Sequence, residues 1–325
     1  MHVVFAHDKP LPVAAYGGTE RIIYWLMKAL VRRGHRVTLI GHPTSQVSDH
    51  GIRLIAGDAA SWPSLIPSDA DIVCLSFPWH REVSKPHVCI IHGNGKPGEV
   101  FPQNTIFVSR SHAQNHGAEC YVLNALDMQE YPESLLRTKG ERSRWERFGF
   151  LAKAKWKVKN LKDCVRAVKA AHKELDVAGG RAWTLSRRVH SHGMVTQSRK
   201  LEILSGCDAL LWPVRWPEPF GVAMIEAMAA GLPVIASGHG SSPEILTPDV
   251  GHICQNYAEF AEVVAHAPRD FSPKRIRDYA MEHFHADRMA ADYERCFETV
   301  LSGRPLNPQA PRTQFREDAQ SLLPF

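Results

Sequence analysis

Two acidic side chains, Glu218 and Glu226, stand eight positions apart around the start of a predicted helix. Pro217 and Pro219 hold the chain extended, because a residue that precedes proline is disfavoured in the helical conformation. A helix can begin directly after Pro219, which places one carboxylate ahead of the helix and the other inside it. A carboxylate there can accept ligand hydroxyls, while the unpaired N–H groups of the helix start attract an anion. The same residues also fit a solvated helix cap, so the spacing alone leaves both interpretations open.

A pair of glycines provides a second candidate contact for a ligand. Gly17 and Gly18 stand just before a helical pattern. Without side chains, their backbone N–H groups can come close to a phosphate or to an acceptor oxygen. The pair also fits a flexible connection in which Thr19 caps the helix.

Histidines end two of the predicted strands. His92 follows the apolar run that begins at His87, and His7 with Asp8 ends the first strand. A lone histidine is more often structural or exposed than a ligand contact, so the position alone does not assign a role.

Two motifs resemble known ligand sites but lack the context that such sites need. The sequence GNGKPG at 93–98 matches G-x-G-x-x-G, which binds a dinucleotide only where a helix opens after the strand. Pro97 and Pro102 leave no room for that helix, so we expect no NAD site. Asp69 and Asp71 spell D-x-D, but they precede a strand far from the acidic pair, and we expect a turn with solvated carboxylates. The sequence shows no H-E-x-x-H motif, and we expect no metal site.

Length and composition limit the class of protein. At about 150 residues per domain, 325 residues predict two domains, and 44% hydrophobic with 22% charged residues is typical of a globular chain and excludes a disordered or collagen-like one. The seven cysteines are scattered, which disfavours a disulfide framework and indicates a reducing, cytoplasmic compartment. We predict no signal peptide and no membrane span. The net charge of +5 suits an anionic ligand or an acidic membrane surface, so peripheral membrane contact stays open.

Apolar runs alternate with helical patterns along the chain, which predicts α/β architecture with parallel sheets. The predicted strands are 2–7, 36–41, 53–56, 71–76, 87–92, 105–109, 120–124, 148–152, 175–178, 209–214 and 233–236. The predicted helices are 19–33, 163–173, 198–205, 220–230, 257–265, 273–283 and 285–301. Two such halves form a cleft where ligands bind at the carboxyl ends of the strands.

The segment 216–237 (WPEPFGVAMIEAMAAGLPVIAS) closely resembles the donor-site signature of retaining glycosyltransferases of family 4, which have the GT-B fold. The loop at 16–21 (YGGTER), the helix after it and Gly34-His35 resemble the same family. Further matches follow in the family's order up to about residue 302. They are Asn124–Asp127, Lys159–Leu161, Gly240–Ile245 and the final helix Arg288–Leu301.

The resemblance implies a role for each residue of the signature. Glu218 would hold hydroxyls of the donor sugar as a catalytic residue, and Glu226 would hold the ribose of the nucleotide. Phe220 and Gly221 would offer backbone N–H groups to the sugar or phosphate, and Pro219 would lie in the same donor site.

Further donor contacts follow from the resemblance elsewhere in the chain. Lys159 matches the family's diphosphate lysine, whereas Lys153 stands where the family usually has arginine, with Lys155 and Lys157 as alternative cations nearby. Lysine keeps the charge but loses the planar fork that grips phosphate. The resemblance also implies contacts in other loops. They are Met194 and Val195 at the nucleotide base, His92 as a catalytic residue facing the donor sugar, and Gly17 and Gly18 at the phosphate or acceptor.

The family also implies a division of the chain. Residues 1–130 would form an N-terminal Rossmann-like, acceptor-side domain, and 131–147 would be a linker. Residues 148–284 would form a Rossmann-like nucleotide-sugar domain facing the first across a central cleft. A helix at 285–302 would cross back to the N-terminal domain, and we expect the proline-rich tail at 303–325 to be poorly ordered.

The implied activity is transfer of a sugar from a nucleoside-diphosphate sugar to a hydroxyl acceptor, with retention of configuration and without a cofactor or metal. The acceptor would be a carbohydrate, a lipid-linked molecule or a small molecule, and no nucleic-acid partner is expected. The basic and aromatic stretch at 142–159 could bind nucleic acid, but we interpret it as a linker followed by a strand that lines a diphosphate site. Two alternatives remain: a nucleotide-sugar-binding module without transfer, and a sugar-nucleotide epimerase on the same fold.

Overall fold

The computed structural model describes residues 1–14, 17–58, 61–136, 145–266, 271–315 and 320–325. The chain forms two compact units. The first contains Met1–Val13, Gly17–Asp127 and Phe284–Ala319, and the second contains Ala14–Tyr16, Met128–His283 and Gln320–Phe325.

Strands and helices alternate in both units. The strands are β1 (His2–His7), β2 (Arg36–Gly41), β3 (Ile52–Ala56), β4 (Ile72–Leu75), β5 (His87–Ile91), β6 (Thr105–Phe107), β7 (Arg147–Leu151), β8 (Glu174–Ala178), β9 (Val189–Ser191), β10 (Ala209–Trp212), β11 (Val234–Ser237) and β12 (Gly251–Cys254). The α-helices are α1 (Gly18–Arg32), α2 (Arg110–Gln114), α3 (Leu161–Ala170), α4 (Gln197–Gly206), α5 (Val222–Ala229), α6 (Ser242–Ile245), α7 (Tyr257–His266), α8 (Pro273–His283) and α9 (Ala286–Leu301).

The first unit is built on a parallel sheet of six strands in the order β3-β2-β1-β4-β5-β6. All six residues of β1 are buried, as expected for a strand with both faces covered. The order runs outward in one direction from β1 and in the other from β4, so the sheet has a topological switch point between these neighbours. Ligands of such sheets bind beyond the carboxyl ends of the strands at the switch point.

The second unit repeats this topology, with the order β12-β11-β10-β7-β8-β9 and all strands parallel. Its switch point lies between β7 and β10. The predicted α/β architecture with two Rossmann-like sheets is therefore confirmed, and the loops after β7 and β10 are the place to look for a ligand site.

The chain returns to the first unit with α9, which packs against α1. Helix α1 buries its apolar side, which includes Ile22 and Leu26. Its basic end meets α9, where Arg32 Nη2 lies 2.7 Å from Asp287 Oδ1 and Arg33 Nε lies 2.6 Å from Glu294 Oε1. These ion pairs are partly exposed, so each contributes at most about 1 kcal/mol, and the apolar packing carries most of the contact.

The prediction of a strand at 120–124 is wrong, because this segment makes one isolated bridge, between Tyr121 and Phe107. The predicted strands and helices otherwise have counterparts in the structure. The elements that the sequence did not predict are all short: β9, β12, α2 and α6. Elements of three to five residues contain too few positions for an apolar period to emerge.

The expectation of a poorly ordered tail is wrong for residues 303–315. Asn307 is 1% exposed, accepts hydrogen bonds from the backbone N–H groups of Glu119 and Cys120, and donates to the carbonyls of Gln103 and Thr105. Prolines exclude a helix here, but an extended chain can still dock through such contacts. Residues 316–319 lie outside the described ranges. The last segment joins the second unit, where the N–H of Leu323 donates to the carbonyl of Arg215 over 2.9 Å.

The predicted linker at 131–147 differs from the structure at both ends. Tyr131 is fully buried in the second unit, and Arg147 already begins β7. The stretch 137–144 lies outside the described residues. None of the helices in the described ranges is both long and apolar enough to cross a bilayer.

Candidate functional site

Two loops of the second unit meet at its switch point. Asn160, which has a left-handed backbone with φ of 60°, turns the chain after β7 and donates from Nδ2 to the carbonyl of Pro213 over 2.9 Å. The N–H of Arg215 donates to the carbonyl of Val158 over 2.7 Å. These bonds join the loop after β7 to the loop after β10 and bring Lys159 beside the segment that begins at Trp216.

Lys159 and Glu218 form a buried ion pair. Lys159 Nζ lies 2.5 Å from Glu218 Oε2, and each residue is 5% exposed. The indole Nε1–H of Trp216 donates to the same carboxylate oxygen over 2.7 Å. The structure thus brings together the two residues that the resemblance assigned to the donor's diphosphate and sugar.

Three tryptophan rings surround the Lys159 ammonium. Its Nζ lies 4.7 Å from the ring centroids of Trp212 and Trp216 and 5.4 Å from that of Trp156. Burial lowers the pKa of Lys159, and the Glu218 carboxylate opposes that shift. Each ring face adds about 0.5–2 kcal/mol of attraction to a cation. The charge is therefore held by one carboxylate and by aromatic faces, a set of contacts that the sequence analysis did not anticipate.

The backbone around Glu218 is fixed by the loop that precedes α6. The N–H of Ser241 donates to the carbonyl of Glu218 over 3.0 Å, and Ser241 Oγ donates to the carbonyl of Phe220 over 2.7 Å. Gly240 has φ of 63°, and a Cβ there would lie 2.2 Å from the backbone nitrogen of Glu218. Only glycine fits this contact, so the loop and the Glu218 segment pack backbone to backbone.

The helix that follows, α5, starts in a way suited to an anion. Gly221 precedes it in a left-handed conformation with φ of 81°, and no side chain of the described residues caps it. The first N–H groups of a helix lack intrahelical partners and carry partial positive charge. Pro219, Phe220 and Gly221 are all buried, so any contact with a ligand here involves the backbone.

Glu226 lies within α5 in a second buried network. The hydroxyl of Tyr131 donates to Glu226 Oε1 over 2.7 Å, and Lys200 Nζ from α4 donates to the same oxygen. Tyr131 is fully buried, and Lys200 and Glu226 are 5% and 6% exposed. Sequence reasoning missed both partners of Glu226. A signal existed, because Lys200 shares the buried face of α4 with Ile203 and Leu204 at helical spacing.

The remaining donor candidates of the second unit lie on other loops. Lys153 is half-buried just after β7, whereas Lys155 and Lys157 are exposed. Met194 is 51% exposed and Val195 is half-buried, and the carbonyl of the preceding Gly193 accepts from the N–H groups of Gly179 and Gly180. The donor contacts assigned to Lys153, Met194 and Val195 therefore stay predictions.

The first unit places His7 and His92 at the carboxyl ends of its central strands. His7 is the last residue of the switch-point strand β1, and its Nδ1 lies 2.7 Å from Ser76 Oγ, just beyond β4. His92 follows β5. The Nε2 atoms of both rings are buried and have no hydrogen-bond partner in the described structure. Two such nitrogens at the ligand-binding edge of the sheet can form hydrogen bonds with a hydroxyl group of a ligand. Asp8, the next residue after His7, is exposed.

Gly17 and Gly18 differ in what surrounds them. A Cβ on Gly17 would lie 2.7 Å from Glu20 Oε2, whereas a Cβ on Gly18 would meet nothing within 4 Å. Gly17 is the N-cap, and no side chain of the described residues caps α1, so the alternative interpretation with Thr19 as the cap does not hold. Glu20 is 7% exposed and accepts from Lys9 Nζ over 2.7 Å. The start of α1 therefore has an open backbone at Gly18.

Two histidines of the α2 region hold the loop after His92, and sequence reasoning missed them. His112 Nε2 lies 3.0 Å from the carbonyl oxygen of Gly93, and His116 Nε2 accepts from the N–H of Gly95 over 3.0 Å. Both rings are fully buried. They position the backbone next to His92.

The two rejected motifs have structural explanations within the first unit. Asp69 Oδ2 accepts from Arg36 over 2.6 Å, and Asp71 Oδ2 accepts from the N–H of His2 over 2.6 Å. The described residues 93–104 contain no helix, so the G-x-G-x-x-G match lacks the helix start that a dinucleotide fingerprint requires.

One cluster of metal-ligand types lies in the second unit, which the sequence analysis did not detect. Ligand atoms of His252, Cys254 and Glu259 all lie within 4.8 Å of one another. Glu259 accepts from the N–H of Gln255 over 2.8 Å and pairs with His252 over 2.9 Å, and burial raises the pKa of Cys254 to about 12. A helix-capping carboxylate and its ion pair account for the arrangement, so it does not by itself indicate a metal.

The environment of His92 predicts a dependence of stability on pH. Burial, with a smaller contribution from His7, lowers the pKa of His92 from 6.5 to about 4. Between these values the unfolded chain binds a proton that the folded state does not, so stability falls as the pH drops through this window. The loss from His92 amounts to at most about 3 kcal/mol.

Urea unfolding between pH 4 and 7 measures this effect, with the free energy of unfolding as the quantity compared. His92→Gln is expected to show a shallower loss than the wild type, though not a flat profile, because burial also lowers the pKa of His7 and His112. His266→Gln, at an exposed position, serves as the control. Equal slopes in His92→Gln and the wild type would contradict the burial of a neutral imidazole.

Comparison with known proteins finds a family model that matches most of the second unit. Residues 146–270 match the family model described as Glycosyl transferases group 1. A probable sucrose-phosphate synthase from Thermosipho melanesiensis is 36% identical over 84 residues, which cover 25% of this chain and 20% of that protein. An N-acetyl-alpha-D-glucosaminyl L-malate synthase from Bacillus anthracis is 26% identical over 166 residues, which cover 45% and 43%. The chain thus spans less than half the length of these curated relatives.

Solved structures share the fold over most of the chain. AviGT4, a glycosyltransferase involved in avilamycin A biosynthesis, has a TM-score of 0.77 with 20% identity and covers 93% of this chain and 98% of its own. Anabaena HepE in complex with UDP and glucose has a TM-score of 0.66 with 16% identity and covers 91% and 99%. Together with the two parallel sheets, these neighbours confirm the predicted GT-B fold. The chain therefore has the GT-B fold, and its residues 146–270 are similar to the Glycosyl transferases group 1 family.

Proposed function

We propose that the protein transfers a sugar from a nucleoside-diphosphate sugar to a hydroxyl acceptor, with retention of configuration and without a metal. The observation that carries the proposal is the buried Lys159–Glu218 pair beside the start of α5 at the switch point of the second sheet. The cation and the helix N–H groups can bind a diphosphate. The carboxylate beside them can accept hydrogen bonds from sugar hydroxyls. The likeness in fold to the HepE complex with UDP and glucose supports a nucleotide-sugar donor.

Donor binding would rearrange the partners of the ion pair. The diphosphate becomes a second anion for Lys159, and Glu218 can then accept hydroxyls of the sugar. Glu226, held by Tyr131 and Lys200, accepts the ribose hydroxyls. Lys153 and the N–H groups at the start of α5 provide further positive potential for the phosphates.

The transfer step breaks the bond between the anomeric carbon and the diphosphate oxygen, through an oxocarbenium-like state. The bonding electrons leave with the diphosphate, where Lys159 and the helix start stabilise the growing negative charge. The acceptor oxygen bonds to the anomeric carbon from the leaving-group face, which retains the configuration, and its proton passes to the departing diphosphate. His92 and His7 of the first unit provide buried nitrogens for a hydroxyl of donor or acceptor.

A thermal-shift panel of nucleoside diphosphates and their sugars tests donor binding first. At a ligand concentration of 100 Kd, binding adds about 2.7 kcal/mol to stability, which raises Tm by roughly 5–10 °C for a domain of this size. The ligand with the largest shift is then incubated with candidate hydroxyl acceptors, with and without EDTA. We expect acceptor-dependent release of nucleoside diphosphate, undiminished by EDTA, and an anomeric configuration in the product that matches the donor.

Four results would overturn parts of the proposal. The absence of a shift with any nucleotide sugar would remove the donor site. Donor binding without consumption in any acceptor mixture would favour the binding module, and an epimerised sugar would favour the epimerase. Complete loss of activity in EDTA, restored by Mn²⁺, would contradict the metal-free mechanism.

A further inference from the structure

The connection between β8 and β9 is unusual for parallel strands. Such strands are normally joined by a crossover of a dozen or more residues that contains a helix. Here residues 179–188 make the connection, and this fully described stretch contains no helix. The N–H of Ala182 donates to Ser191 Oγ over 2.9 Å, and the carbonyl of Ser186 accepts from the N–H of Val189. Small residues thus tie the extended segment to its own sheet.

The side chains between these anchors project into solvent. Trp183 and Leu185 have relative exposures of 101% and 102%, the highest of the large apolar residues in the described structure. Single exposed apolar residues are common on protein surfaces, but two that alternate on one segment and contact nothing indicate a surface that becomes covered.

Basic side chains stand on both sides of this pair in the chain. Residues 177–201 contain Arg181, Arg187, Arg188, Arg199 and Lys200 and no aspartate or glutamate. Lys200 is buried against Glu226, and Arg199 pairs with Glu202 over 2.5 Å, whereas Arg181, Arg187 and Arg188 are exposed beside the pair. The projecting pair is therefore flanked by exposed positive charge, which favours a covering surface that is both apolar and anionic.

We propose that the Trp-Leu segment, residues 181–188, docks the protein onto a bilayer that contains anionic phospholipid. Tryptophan favours the boundary between headgroups and acyl chains, leucine enters the acyl region, and arginine extends its guanidinium to the lipid phosphates. Each basic side chain near such a surface contributes about 1 kcal/mol, which corresponds to roughly fivefold in binding.

A bilayer fits the shape of this feature better than a folded protein does. A protein interface of ordinary size buries about 800 Å² on each partner and needs an extended complementary patch. The Trp-Leu segment instead presents two protruding side chains within a basic surface. A fluid bilayer accepts such a protrusion without a matching pocket. The proposal rests on these exposures and charges, and it holds whether or not the chain transfers a sugar.

Sedimentation of the full chain with vesicles tests the proposal. Vesicles of phosphatidylglycerol and phosphatidylcholine are expected to bind the protein, and vesicles of phosphatidylcholine alone to bind it at least tenfold more weakly. The double variant Trp183→Ser/Leu185→Ser should lose about tenfold or more in binding. Arg181→Gln/Arg187→Gln should lose roughly twentyfold, and added salt should weaken binding of the wild type.

Matched controls come from α8 of the same unit. Met281 is 38% exposed and Arg275 is exposed, so Met281→Ser and Arg275→Gln change the same kinds of group elsewhere on the surface. Both controls should bind like the wild type, and all variants should keep the wild-type Tm because the replaced side chains are exposed. Failure of the wild type to bind anionic vesicles would overturn the proposal, as would equal binding by Trp183→Ser/Leu185→Ser. Self-association that this variant abolishes, without vesicle binding, would assign the segment to a second copy of the chain instead.

Discussion

Glu218→Gln is expected to lower kcat/KM for sugar transfer by about 100-fold or more. The substitution keeps the size of the side chain but removes the charge that faces Lys159 and the donor hydroxyls. It also acts on Lys159 itself. Burial already lowers the pKa of this lysine, and Glu218 opposes the shift, so loss of the carboxylate favours the neutral amine. A neutral Lys159 stabilises a departing diphosphate less well, so one substitution weakens two contacts of the transition state.

Steady-state kinetics together with donor affinity measure the effect. If Glu218 acts mainly on the transition state, kcat falls while the Kd of the donor changes little. The control is Glu262→Gln, which changes the same residue type at a position whose side chain is 72% exposed. All proteins are compared well below Tm, because removal of one partner from a buried pair also lowers stability. Wild-type turnover in folded Glu218→Gln would remove the role proposed for this carboxylate.

The fold was predictable because the periods in the sequence are long and regular. The run at His2–His7 and the apolar stripe of α1 each span enough residues to show their period, and both appear at nearly the predicted bounds. The segment at 120–124 has the composition of a strand but forms one bridge only. The composition of a segment indicates only that its side chains suit a β-sheet. To form a strand, the segment must also pair with a free sheet edge in a matching register.

The candidate site was predictable only where a residue stands in a recognisable motif. Glu218 and Lys159 belong to motifs, and the structure joins them in one ion pair. Tyr131 and Lys200 belong to none, and they reach Glu226 from segments that lie 95 and 26 positions away in the chain. Such contacts arise from the crossing of elements in three dimensions, which a local pattern does not encode. Asn307 shows the same limit, because its partners lie near position 105 and near position 120.

Lys200→Met is expected to lower the free energy of unfolding by about 3–5 kcal/mol. The substitution leaves the Glu226 carboxylate buried with the Tyr131 hydroxyl as its remaining partner from this network, and a buried charge without a counter-ion is costly. Methionine retains most of the apolar stem, so the loss reports the charge more than the packing. The control is Lys274→Met, which removes a pair with Asp278 whose side chains are 73% and 59% exposed, and which should leave the free energy of unfolding close to that of the wild type.

A double-mutant cycle separates the structural role of the Lys200–Glu226 pair from its role in donor binding. Glu226→Gln removes the buried anion, so Lys200→Met/Glu226→Gln should be more stable than Lys200→Met alone, by about 2 kcal/mol. The double variant should nevertheless bind the donor about 10-fold more weakly or worse, because the carboxylate that we propose as the acceptor of the ribose hydroxyls is gone. Urea unfolding and donor titration provide the two readouts. Recovery of stability together with wild-type donor affinity would show that Glu226 is a structural carboxylate only, while no recovery of stability would show that Lys200 does more than neutralise it.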